Sequence, residues 1–155
     1  MRSAQIADAP ELARIWHDAW HDAHAGLVPA ALVSQRSPDE FHQRMAEQLP
    51  QLRVTGPVGA LVGLVKLIEN KVDDLFIDRP ARGTGAAQAL LADVEASVKA
   101  AGRDMIWLVC AIGNDRAARF YEKSGWHRVG DVVIDLQTTA GPFSTTLWRY
   151  EKRLF

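Results

Sequence analysis

Apolar residues recur along this chain at two spacings, and the spacings come in blocks. The first block is helical. On a wheel drawn at about 100° per residue, Leu12, Ile15, Trp16, Ala19, Trp20, Ala23 and Leu27 fill one arc, and Glu11, Arg14, Asp18 and Asp22 lie opposite. Asp8 stands where a cap belongs and Glu11 where a capping box would place it, so a helix is predicted from about Ala9 to Ala25, ended by Gly26. A short strand over Ser3–Ala7 precedes it. Ser37-Pro38-Asp39-Glu40 is a second start signal, for a helix that runs to about Leu49 before Pro50.

The period then changes to that of strands. Gln51–Thr55, Ala60–Ile68 and Val72–Asp78, separated by Gly56-Pro57 and Glu69-Asn70-Lys71, read as a meander. Leu90, Leu91, Val94 and Val98 restore a helical stripe over about Ala86–Ala101, which Gly102 closes. Met105–Ala111 is an apolar strand. Asn114 or Asp115 caps a short helix ending at Gly125, and Trp126–Leu136 with Phe143–Leu154 form a terminal hairpin across Thr138–Pro142. The predicted order is β-α-α-β-β-β-α-β-α-β-β, an α/β (α+β) arrangement in one domain over residues 1–155. The only internal echo is the tetrad His17-Asp18-Ala19-Trp20, begun again at His21.

Composition narrows the function classes. The 155 residues carry a formal net charge of −1, so there is no electrostatic footprint for nucleic acid or an anionic membrane. The longest apolar run, Val58–Ile68, is broken by Lys66 and is too short to span a bilayer. The N-terminal residues carry charge where a signal peptide needs an apolar run. One cysteine, Cys110, cannot form an internal disulfide, which suits a reducing compartment. The expectation is a cytoplasmic protein.

Most chemical information lies in Leu75–Leu91, where a strand ends, a glycine loop follows and a helix begins. Glycines let backbone N–H groups approach a ligand and a helix N-terminus adds a positive dipole end, so this is a cradle for phosphate or pyrophosphate. No Gly-Lys-Ser/Thr is present, which argues against a P-loop, and Gln88 stands where a dinucleotide fingerprint needs a glycine or small residue.

Arg82-Gly83-Thr84-Gly85-Ala86-Ala87 resembles the Gln/Arg-x-x-Gly-x-Gly/Ala signature of the GNAT superfamily of acetyltransferases. Asn114 to Trp126, with Ala117, Phe120, Tyr121 and Gly125 in place, resembles that family's second signature, Asn-x-x-Ala-x-x-Phe-Tyr-x-x-x-Gly-Phe, with Trp126 in place of the last Phe. The resemblance is strong over about residues 58–130. It implies the GNAT fold: a mixed, mostly antiparallel sheet flanked by helices and splayed between its fourth and fifth strands, with acetyl-CoA lying in the opening. It also implies acetyl transfer from acetyl-CoA to an amine of a small molecule or protein, by direct attack through a tetrahedral intermediate and without a metal. The alternatives are a non-catalytic acyl-CoA sensor on the same fold, or transfer of another acyl group.

By the same resemblance, the backbones of Phe76 and Ile77 would meet the pantetheine and those of Arg82 to Ala87 the pyrophosphate. Asn114 would bond the pantetheine, and the helix carrying Ala117 would pack along it. Tyr121 is the candidate acid: a phenol of pKa about 10 can protonate a departing thiolate of pKa about 8.5. The plainer role for Tyr121 is a core aromatic beside Phe120. Asp73 occupies the position where many relatives carry a base, acting directly or through water, with Asp74 in reserve; a solvated strand-end acid is the plainer reading. Simple alternation would set Asp73 with Leu75 and Ile77 on one face of the strand, and Asp74 with Phe76 and Asp78 on the other. A backbone N–H of this strand can receive the developing oxyanion. Cys110 lies in an apolar strand with no activating partner at a telling spacing, and reads as a small buried hydrophobe rather than a nucleophile.

His17, His21 and His24 form a stripe at the border of the first helix's apolar arc. His17 and His21 have a metal-compatible spacing, yet they are not His-Glu-x-x-His and lack an evident third ligand. The readings left are a half-exposed stripe or, by family resemblance, a wall of the acceptor site with Trp20. His42 and His127 belong to no constellation. Homodimers are common in the family, and the terminal hairpin with Trp148 and Tyr150 offers a surface for a second copy.

Overall fold

Three strands of the meander form in succession because their apolar residues alternate and their links are tight turns. The computed structural model describes residues 1–24, 26, 30, 33, 37–138 and 141–155. Its elements are β1 (Arg2–Ser3), α1 (Ala9–His24), α2 (Pro38–Gln48), β2 (Leu52–Thr55), β3 (Gly63–Ile68), β4 (Lys71–Ile77), α3 (Ala86–Ala100), β5 (Met105–Ala111), α4 (Asp115–Lys123), β6 (His127–Thr138) and β7 (Gly141–Arg153). The order matches the pattern read from the sequence. Ala25, at the predicted end of the first helix, lies outside the described residues, as do Thr139 and Ala140 of the hairpin turn. No helix among the described residues is long and apolar enough to cross a membrane.

The strands build one seven-stranded sheet in the order β1-β2-β3-β4-β5-β7-β6. Every pairing is antiparallel except β4 with β5. That parallel pair is short: only Lys71 opposite Trp107 and Val72 opposite Leu108 are in register. Beyond them the two strands part, and the sheet opens from one edge.

Two cores flank the sheet. On one face Leu12, Ile15, Trp16 and Trp20 of α1 and Met45 of α2 pack on Leu52, Val54, Leu64 and Phe76. On the other, Leu90, Leu91, Val94 and Val98 of α3 and Ala118 of α4 pack on Val65, Val72, Ile106, Leu108 and Tyr150. The apolar arc read from the sequence, over Leu12, Ile15, Trp16, Ala19 and Trp20, is therefore the buried face of α1, and Leu27 lies outside the described residues.

The chain's start differs from expectation. The first strand covers only Arg2–Ser3, and Ile6–Asp8 is a 3-10 turn. The buried Asp8 carboxylate explains this: it accepts from both terminal nitrogens of Arg2 at 2.8 and 2.9 Å and from the Gln5 N–H at 2.7 Å. The two acids expected to cap α1 are thus used elsewhere, because Glu11 accepts the Leu61 N–H at 2.8 Å.

Candidate active site

The opening between β4 and β5 is a cleft of about 510 Å³. Its walls come from β4 (Val72–Ile77), β5 (Leu108–Ala111), the 81–88 loop and first turn of α3, the start of α4, and Thr145 and Leu147 of β7. Trp20 and Ala23 of α1 close one side.

One end is an anion cradle. Gly83 and Gly85 have φ of +79° and +87°, a region that side-chain-bearing residues enter at a cost, and a Cβ on either would meet nothing within 4 Å. Gly85 is the N-cap of α3. The N–H groups of Gly83, Gly85, Ala86 and Ala87 find no carbonyl among the described residues. Donors without acceptors, open space above two glycines and a helix N-terminus together suit the pyrophosphate of a coenzyme A thioester. The loop is fixed from α1: Arg79 places one nitrogen 2.7 Å from each oxygen of Asp22, Arg82 reaches Asp22 at 3.1 Å, and Arg14 reaches Asp78 at 3.1 Å.

Tyr121 stands on the facing wall, on α4. Asn114 caps that helix through the Ala117 N–H at 3.3 Å, so its amide oxygen is occupied and its NH₂ is the group that remains to donate. The far end is tied to β7, where the Tyr150 hydroxyl donates to Glu122 at 3.0 Å and the Lys152 ammonium to the Ser124 carbonyl at 2.9 Å. Tyr121 packs against Phe120, Trp126 and Tyr150, with centroids 5.4, 6.0 and 5.9 Å away. Its hydroxyl donates to no side chain or carbonyl among the described residues. Burial raises the phenol pKa well above its ordinary 10.0, and negative charge on Cys110 or Asp74, where either ionises, raises it further. Tyr121 thus keeps its proton at neutral pH.

The acids of β4 do not follow simple alternation. The register with β3 shifts between Lys66 and Leu67: Lys66 faces Asp74 and Leu67 faces Val72, which leaves Asp73 as an extra, bulged residue. Asp73 consequently leaves the face of Leu75 and Ile77 and joins that of Lys66 and Asp74. Its two oxygens each take an ammonium at 2.9 Å, one from Lys66 and one from Lys71. Burial alone would raise this carboxyl; the two lysines outweigh burial and hold it below its ordinary 3.8.

Cys110 also lines the cleft, but its thiol is pushed up to about 11, by burial first and then by Asp115. At neutral pH it is a protonated thiol, the opposite of what a nucleophile requires.

The structure thus brings Asp73, Phe76, Ile77, Arg82, Gly83, Gly85, Ala86, Ala87, Asn114, Ala117, Tyr121 and Trp20 to one cleft. His17 and His21 are not on its walls. They line a neighbouring hollow of about 500 Å³ with Arg14, Asp18, Asp22, Asp78 and Arg79. Their rings lie 4.4 Å apart, and the two cavities share Ala19, Ile77 and Arg82. The His24 side chain lies outside the described part. No group of three His, Cys, Asp or Glu side chains among the described residues is arranged to hold a metal ion. Thr145, Leu147, Val109 and Ala23 were not among the predicted site residues. Period-two spacing groups Thr145 with Leu147, but only the pairing of β7 beside β5 brings them to the cleft.

The Acetyltransferase (GNAT) domain family matches residues 19–145. No curated protein matches the chain. Among solved structures, a GCN5-related N-acetyltransferase from Rhodopseudomonas palustris is 18% identical, with a TM-score of 0.75 over 98% of this chain and 93% of that one. The apo form of YjaB from Escherichia coli is 24% identical, with a TM-score of 0.70 over 97% and 94%. The PaiA N-acetyltransferase of Thermoplasma acidophilum, solved with coenzyme A, is 19% identical, with a TM-score of 0.65 over 98% and 96%. Both signatures, the splayed parallel pair and the family match agree: the chain belongs to the GNAT acetyltransferase family.

Proposed function

We propose that this protein transfers an acetyl group from acetyl-CoA to the amine of a small molecule or protein. The observation that carries the reading is the cleft itself, with a bare N–H cradle at one end and a proton-bearing phenol on its wall. The backbone around Arg82–Ala87 holds the pyrophosphate, and Phe76, Ile77, Asn114 and Ala117 border the pantetheine.

The acceptor arrives as an ammonium and gives one proton to a carboxylate of β4, Asp73 or Asp74, directly or through water. The nitrogen lone pair then attacks the thioester carbonyl carbon, the C–N bond forms through a tetrahedral intermediate, and a β4 backbone N–H meets the oxyanion. The C–S bond breaks and the thiolate takes the Tyr121 proton. The second proton leaves the nitrogen as the amide forms and returns to the phenolate through water. Burial raises the phenol, yet it also destabilises a thiolate released into the same cleft, so the transfer stays matched. The acceptor enters past Trp20, with the hollow of His17 and His21 beside it.

The test is consumption of acetyl-CoA across a panel of amines, amino acids, polyamines and aminoglycosides. Turnover with at least one class supports the reading. Coenzyme A binding without turnover of any amine points instead to an acyl-CoA sensor.

A further inference from the structure

The cleft passes through the sheet, and its two sides carry different side chains. The cradle, Asn114 and Tyr121 stand on the side of α3 and α4. On the side of α1 stand Trp20, Ala23, Phe76, Val109, Thr145 and Leu147. Alternation fixes this division. Leu108, Cys110, Trp148 and Tyr150 pack in the core beneath α3, so their neighbours Val109 and Leu147 point the other way. Among the described residues Leu147 is buried yet belongs to neither core, and its side chain faces the cleft.

Charge divides in the same way. Among the described residues, the basic side chains on the cleft walls are Arg82 of the cradle loop and Arg116 of α4, both at the cofactor end. The α1 side is apolar apart from the Thr145 hydroxyl and the β4 carboxylates, Asp73 and Asp74. Lys66 and Lys71 stand behind Asp73, each 2.9 Å from one of its oxygens, and neither forms part of the wall.

These surroundings sort the acceptors. A carboxylate or phosphate on the acceptor would lose its water beside like charge, with no cation on the wall to meet it. It could reach a lysine only by displacing Asp73. A second ammonium would need a second acid, and Asp73 already sits between two ammonium groups. An apolar body, by contrast, gains from burial against Trp20, Val109 and Leu147. The cleft of about 510 Å³ must also hold the pantetheine arm, so that body is small.

We infer that the acceptor is a small monoamine: one primary ammonium on an apolar, uncharged body such as an arylalkyl chain. Amino acids, polyamines and aminoglycosides do not fit this wall. This rests on the acyltransferase reading above. The ammonium faces the β4 carboxylates, and the body lies on Trp20, Val109 and Leu147, which set the specificity.

The experiment measures kcat/KM, with acetyl-CoA as donor, for phenethylamine, ethylamine, phenylalanine, phenylalanine methyl ester and spermidine. Phenethylamine is expected to exceed phenylalanine by about 100-fold, since the two differ only in the carboxylate, and the methyl ester to recover most of that loss. Phenethylamine is also expected to exceed spermidine by about 100-fold and ethylamine by about 30-fold, the latter through apolar burial alone. Thr145→Lys puts an ammonium on the apolar wall and should raise phenylalanine relative to phenethylamine by at least about tenfold. Coenzyme A titration calorimetry reports that this variant is folded. The inference is overturned if phenylalanine, spermidine or ethylamine is acylated as well as phenethylamine, or if turnover is confined to amino acids, polyamines or aminoglycosides. An unchanged preference in a Thr145→Lys variant that binds coenzyme A overturns it too. A wild type that binds coenzyme A but acylates no amine of any class defeats the acyltransferase reading instead, a separate outcome.

Discussion

At the scale of single residues, the sharpest expectation concerns Tyr121. Its hydroxyl holds up no part of the described fold, while its ring is packed on three aromatic neighbours. Tyr121→Phe should therefore keep coenzyme A affinity and thermal stability but lower kcat by about 100-fold or more. Steady-state kinetics beside a thermal melt separates the two. The pH profile carries a sign as well: a phenol raised above 10.0 stays protonated through neutrality, so loss of its proton gives no fall in rate below about pH 10. Cys110 supplies the contrast. With its thiol at about 11, mass spectrometry of enzyme incubated with acetyl-CoA should find no covalent acyl adduct.

At the scale of elements, two glycines predict opposite failures. Gly85→Ala forces a side chain into a left-handed conformation at a cost of about 1 kcal/mol and collides with no protein atom, but it fills the cradle. Coenzyme A affinity should fall much more than stability. In Gly63→Ala, a new Cβ would meet Ile77 Cδ1 at 2.6 Å and the Phe76 carbonyl at 2.8 Å, so β3 and β4 must be pushed apart. That change should cost about 1–3 kcal/mol of stability, read by chemical denaturation. Such contrasts show what the sequence discloses. Apart from the first strand, the strands and helices were legible from their apolar spacing and turn residues, and the glycine loop because its spacing has a mechanism. The turn of Asp73 toward Lys66 was not, because a bulge is a property of two strands in register and leaves no mark on one. The separation of His17 and His21 from the cleft was also hidden, since a helical wheel ranks faces without saying which neighbour meets them. Thr145 and Leu147 reach the cleft only because β7 lies between β5 and β6.

For the whole molecule, acid should be the destabilising direction. Asp8, Asp22, Asp73 and Asp78 are all held below their ordinary 3.8. Hydrogen bonds from arginines dominate for Asp8, Asp22 and Asp78, and Lys66 and Lys71 outweigh burial for Asp73. A depressed carboxyl contributes stability that is complete above its unfolded pKa and lost as pH falls through the folded one. Unfolding followed by circular dichroism should show a plateau above about pH 5 and a decline below about pH 4. Asp8→Asn should make the protein less stable at pH 7 and that decline shallower. The sheet carries one further consequence. With only two residue pairs joining β4 to β5, a row of amides and carbonyls along the inner edges of both strands has no partner strand among the described residues. The molecule is in effect assembled as two ribbons stitched at one end, and an extended pantetheine arm would be the thread that closes the seam. Saturating coenzyme A at about 100 times its Kd should add about 2.7 kcal/mol of stability. In hydrogen exchange, the slowed amides should trace Phe76, Ile77 and the 83–87 loop, drawing the outline of the substrate on the protein.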